Sequence, residues 1–115
     1  MAVDGGIEAA RWDGVTWTAM TLPNPAGATT RALQSVSCAS STDCTAVGWS
    51  QAARSPQVPL AEHFNGSKWT VQPTPAPAGA QRTFLADVSC RPGPVCTAVG
   101  ASLFDIWVPF AERYQ

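Results

Sequence analysis

The sequence predicts an all-β protein made of repeated four-stranded antiparallel units, and three observations carry that prediction. Blocks of sequence recur at an offset of 52 residues. Apolar and polar residues alternate in short runs with a period of two, as they do in strands. Ten prolines and nine glycines punctuate a chain with five tryptophans, and almost nothing has helical periodicity. Residues 7–12 could begin a helix, but Asp13-Gly14 stops it after barely a turn.

The repeat runs from Trp12 to Gly100 without a slip. Trp12-Asp13-Gly14-Val15-Thr16-Trp17 returns as Phe64-Asn65-Gly66-Ser67-Lys68-Trp69. Pro23-Asn24-Pro25-Ala26-Gly27-Ala28 returns as Pro75-Ala76-Pro77-Ala78-Gly79-Ala80. Val36-Ser37-Cys38 with Cys44-Thr45-Ala46-Val47-Gly48 returns as Val88-Ser89-Cys90 with Cys96-Thr97-Ala98-Val99-Gly100. A period of this length means one supersecondary unit stacked on copies of itself.

Within a unit the strands follow in order. Strand a spans 33–38, where Leu33, Ser35 and Ser37 alternate with Gln34, Val36 and Cys38. Strand b spans 44–51 and strand c 58–64. Asn65-Gly66 then turns the chain into strand d at 68–73, because Asn-Gly tolerates the positive φ of a tight hairpin. The proline-rich stretch 73–79 lacks the N–H groups a ladder needs and is a connection. At the N-terminus, residues 8–12 read as a c-like strand and 15–20 as a d-like strand. At the C-terminus, 84–90, 96–103 and 107–114 read as a, b and c, and the chain stops where the d strand is due.

Four antiparallel strands with two apolar faces make a blade, and blades bury those faces against neighbours in propeller-type rings of four to eight. The chain is therefore expected to be a single module, 1–115, of two four-stranded units, with repeat 1 at about 8–59 and repeat 2 at about 60–115. Two blades do not close a ring. Closure is expected from self-association, most simply a trimer of six blades, or from neighbouring blades of a longer chain. With a d-like strand at one end and none at the other, either 8–12 or 107–114 is surplus.

Composition narrows the function classes. Charged residues make up 13%, the net charge is −1, and Lys68 is the single lysine. That argues against a nucleic-acid surface, which needs clustered cations. No run approaches the roughly 18 apolar residues of a membrane span. The opening Met1–Gly6 has no basic residue ahead of an apolar run and does not read as a signal peptide.

The combined W-[ND]-G-x-x-W, P-x-P-x-G and V-S-C…C-x-A-V-G pattern resembles a family of secreted actinobacterial repeat proteins. The resemblance covers about residues 8–115 and implies a β-propeller-like fold and a secreted or cell-surface location. A looser likeness is to two-blade bacterial lectins that trimerise into six-bladed, fucose-binding propellers. It rests on the hairpin from Trp12 to Trp17 and on the acid–base neighbours Glu62-His63 and Glu112-Arg113. Those lectin repeats are shorter and lack paired cysteines, and here Ala10 stands where the other two units have Glu62 and Glu112.

Candidate sites follow from the same repeat. The pairs Cys38/Cys44 and Cys90/Cys96 each flank a five-residue a–b loop. Facing positions on antiparallel strands lie within disulfide reach. Closing so small a loop contributes about 2 kcal/mol in the chain-entropy model. Free buried thiols and a four-cysteine zinc site are the rival readings, and zinc pairs are usually spaced more tightly. Trp17 and Trp69 recur at one position, which favours blade packing. Trp49 has Ala101 as its partner in the next repeat, a volume change that a shared core position does not accommodate. Trp49 is therefore expected to be the exposed tryptophan.

Glu62, His63, Glu112 and Arg113 occupy equivalent places on strand c, where charge-assisted hydrogen bonds to sugar hydroxyls are one use. A cross-strand charge pair or a solvated edge is the plainer one. His63 is the only histidine and lies beside no recognisable nucleophile motif. No catalytic residues, metal ligands or cofactor are assigned. The expected function is a non-enzymatic extracellular binding or scaffolding module, with carbohydrate as the first ligand class. A fragment of a propeller hydrolase and a purely structural stalk or adhesin repeat are the alternatives.

Overall fold

A computed structural model describes the backbone of residues 2–3, 8–12, 17–21, 28–72, 74–93 and 95–114, and the side chains of 28–72, 74–93 and 95–114. The expected turn at Asp13-Gly14 and the start of the d-like strand at Val15-Thr16 lie outside the described residues, as do 22–27 and Pro73.

Ten strands and no helix form among the described residues: β1 (Ala2–Val3), β2 (Glu8–Trp12), β3 (Trp17–Thr21), β4 (Ala28–Ser40), β5 (Asp43–Ala52), β6 (Val58–Phe64), β7 (Trp69–Gln72), β8 (Arg82–Arg91), β9 (Val95–Leu103) and β10 (Trp107–Tyr114). They make three antiparallel sheets, ordered β1-β2-β3, β4-β5-β6-β7 and β10-β9-β8. The second sheet is the complete a–b–c–d unit, and the third is a–b–c. A structural blade therefore straddles the boundary between the two sequence repeats.

The N-terminal sheet is more than the expected c and d strands. Trp12 pairs with Trp17 as Phe64 pairs with Trp69, which is the c–d register. Ala2 and Val3 pair with Ala10 and Ala9. Ala46 and Val47 pair with Glu62 and Ala61 in the same way, as do Ala98 and Val99 with Glu112 and Ala111. Ala2-Val3 is thus placed like the Ala-Val of a b strand. Strands 8–12 and 107–114 each pair within their own sheet.

Strand a departs from simple alternation. The ladder between β4 and β5 shifts register between Leu33 and Ser35, and that between β8 and β9 shifts at the equivalent Leu85 and Asp87. The extra residue turns Leu33 and Val36, three apart, into one apolar cluster, and does the same for Leu85 and Val88. It also drives the carbonyls of Ala32 and Phe84 against Gly48 and Gly100, where a Cβ would overlap them. That close approach explains why both repeats have glycine after Ala-Val.

The Asn65-Gly66 turn forms, with Gly66 at φ 100°. Asn65 acts through its side chain: its Oδ1 accepts hydrogen bonds from the backbone N–H groups of Ser67 (2.9 Å) and Lys68 (3.0 Å).

Two apolar clusters sit on opposite faces of the second sheet. One gathers Leu33, Cys44, Ala46, Leu60, Phe64 and Trp69. The other joins Val47 and Ala61 to Leu85, Val88, Cys96, Ala98 and Tyr114 of the third sheet. Polar contacts lock the same interface. Ser35 Oγ donates to Asp87 Oδ1 (2.9 Å), and Cys90 N–H donates to Ser37 Oγ (2.9 Å). Thr74 and Tyr114 hydroxyls lie 2.7 Å apart.

Cys38 faces Cys44 and Cys90 faces Cys96, with Cα separations of 3.9 and 4.1 Å, and each pair is a disulfide. No free cysteine remains for a four-thiolate metal site.

Candidate functional site

The acid–base neighbours on strand c do not form one site. Glu62 is fully buried on β6, where its Oε2 lies 3.1 Å from Arg31 Nη1 of β4. Its Oε1 has no hydrogen-bond partner. Burial pushes the carboxyl up to about 7, outweighing the lowering by the adjacent guanidinium. Glu62 is thus closed to a solvent-borne ligand, against the expectation that it contacts sugar. His63 Nε2 lies 2.9 Å from Asp43 Oδ1 in a partly exposed cross-strand pair. This is the plainer of the two roles considered for it.

The third sheet breaks both pairs. Thr83 replaces Arg31 and binds Ser102 through their hydroxyls at 3.0 Å, with both side chains buried. Glu112 is half-buried on β10. Val95 replaces Asp43, and the exposed Arg113 borders a depression of about 400 Å³ with Ser89, Arg91 and Thr97. Burial raises the phenol of Tyr114, opposed by its hydrogen bond to Thr74.

A different concavity gathers the aromatic residues. A groove of about 310 Å³ opens where the second and third sheets meet. Gln34, Trp49 and Gln57 line it from one side, and Arg82, Phe84 and Trp107 from the other. A parallel bridge between Gln57 and Arg82, with Thr83 N–H donating to Gln57 O at 2.9 Å, ties its two walls together. Phe84 and Trp107 meet edge to face, with centroids 5.7 Å apart. Arg82 is the one charged residue in the lining.

Trp49 is half-buried in this groove, and among the described tryptophans Trp107 is the most exposed, at 50%. The expectation that Trp49 would be the exposed one is corrected accordingly. Trp69 is 4% exposed and packs on Phe64, as its recurrence implied.

Sequence reasoning missed Gln34, Gln57, Arg82, Phe84 and Trp107. The signal that singled out Trp49 was available for most of them. Ala32 becomes Phe84, Gln34 becomes Ala86, and Gln57 of the V-P segment becomes Trp107. Positions whose volume swings between repeats are the positions that line the groove.

Chemically, the groove offers indole and phenyl faces, two neutral amides and one guanidinium. Among the described residues, no group of three or more His, Cys, Asp or Glu side chains is placed to hold a metal ion. No family model, curated protein or solved structure matches this chain.

Proposed function

We propose that this chain is a non-enzymatic extracellular binding module whose ligand is an oligosaccharide seated in the groove between the second and third sheets. One observation carries the reading. Trp49 and Trp107 come from different blades, yet line one concave surface with Gln34, Gln57 and Arg82. Sugar C–H faces stack on indoles, while amide and guanidinium groups hydrogen-bond the ring hydroxyls. Concave sites with aromatic walls and a few convergent polar groups are where small ligands bind. The two disulfides support an oxidising, extracellular setting.

The test is a glycan array followed by calorimetric titration of the best hit. Trp49→Ala and Trp107→Ala are each expected to weaken binding about tenfold, equivalent to about 1.4 kcal/mol. Arg82→Ala is expected to weaken it further, since hydrogen bonds to a charged group contribute about 1.5–3 kcal/mol. A folded protein that leaves the array silent defeats the carbohydrate reading. Binding that survives all three substitutions places the ligand elsewhere.

A further inference from the structure

The face that the second sheet presents to the third is repeated on the far side of the third sheet, where it lies bare. At the existing interface Val47 and Ala61 are 0% exposed and Thr45 is 2% exposed. Their counterparts Val99, Ala111 and Thr97 are exposed, Val99 to 49%.

The polar grips recur as well. Ser37 holds the Cys90 N–H, and Thr45 Oγ1 lies 3.4 Å from Cys96 Sγ, so two hydroxyls of the second sheet seat the cystine hairpin of the third. The same two positions on the third sheet are Ser89 and Thr97. Both are exposed, and both border the two depressions on that face, of about 400 and 180 Å³. The outer edge of β10 is unpaired among the described residues, whereas β6 carries β7 there.

The geometry points to this bare face as a docking seat for one more cystine-bearing blade of the same repeat, gripped by Ser89 and Thr97 as Ser37 and Thr45 grip Cys90–Cys96. The occupant is a further repeat unit and not a second copy of the 115-residue chain. The inward cysteine of each hairpin in this chain is already buried, although Cys38 is exposed: Cys44 is 1% exposed in the first cluster, and Cys96 is 4% exposed against Val47 and Ala61. None of Ser89, Thr97, Val99 and Ala111 lines the aromatic groove.

The experiment extends the full chain by one unit, placing a copy of residues 65–114 directly after Tyr114. The added segment supplies a turn, a d strand for β10 and a complete a–b–c hairpin set. Limited proteolysis is expected to cleave it at least tenfold more slowly when it is docked than in the Val99→Glu or Thr97→Glu background. In the unextended chain the same substitutions fall on exposed positions and are expected to leave the midpoint of thermal unfolding unchanged. Three results overturn the proposal. The first is an added segment that is protease-sensitive in the unsubstituted background. The second is one that resists protease equally with Val99→Glu and Thr97→Glu. The third is an unextended chain that self-associates by light scattering and becomes monomeric with Val99→Glu, which would make a second copy the occupant.

Discussion

Glu62→Gln is expected to remove a specific component of the pH dependence of stability. Glu62 has an ordinary value of 4.5 and is held at about 7 in the folded protein because burial outweighs the Arg31 guanidinium. Below 4.5 the carboxyl is protonated in both states and contributes no pH dependence. As the pH rises from 4.5 towards 7, the unfolded chain releases the proton while the folded chain keeps it, so stability falls. Above about 7 both states are ionised and the loss is complete. The full difference is about 3 kcal/mol, most of it between pH 5 and pH 8. Glutamine copies the shape of the neutral acid and does not ionise. Urea denaturation followed by tryptophan fluorescence, at fixed ionic strength and four pH values from 5 to 8, measures both proteins. The stability of Glu62→Gln relative to the unsubstituted protein is expected to rise by about 2–3 kcal/mol across that range. The other carboxylates are common to both chains and cancel. Parallel pH profiles would show that the ion pair with Arg31 balances desolvation, and a difference that falls with pH would show that it outweighs it; either would refute burial as the dominant cause.

Two further outcomes concern the repeat itself. Gly48→Ala and Gly100→Ala each force a Cβ into a backbone carbonyl of the bulged strand, and each is expected to cost about 1–3 kcal/mol by chemical denaturation; unchanged stability would contradict the close approach. Thr83→Val leaves the buried Ser102 hydroxyl without its partner and is expected to cost about 1–3 kcal/mol, while the Thr83→Val, Ser102→Ala double substitution recovers much of that loss. Additive losses in that double-mutant cycle would mean that the two hydroxyls do not depend on one another.

The sequence by itself determined the strand order and the disulfides. Period-two runs, Asn65-Gly66 and the proline-rich connection are local signals, and local signals specify elements and turns. The cysteine pairing was legible because antiparallel neighbours across a short loop must face one another. Internal repetition did the rest, since two copies of one pattern mark which features belong to the blade. The bulge was not legible, because Leu33-Gln34-Ser35-Val36 reads equally well as plain alternation. Only its consequence, a glycine at 48 and 100, was written in the chain. Tertiary structure decided the fate of the charged residues. Glu62 and Glu112 are equivalent in sequence, but one is buried against Arg31 and the other is half-buried where Thr83 replaces that arginine. Burial depends on what packs against a face, and that is a property of the neighbouring blade. The groove has the same origin. Trp49, Arg82 and Trp107 are far apart in the chain and converge only because two sheets stack, so their proximity is set by the packing of blades and not by any local pattern.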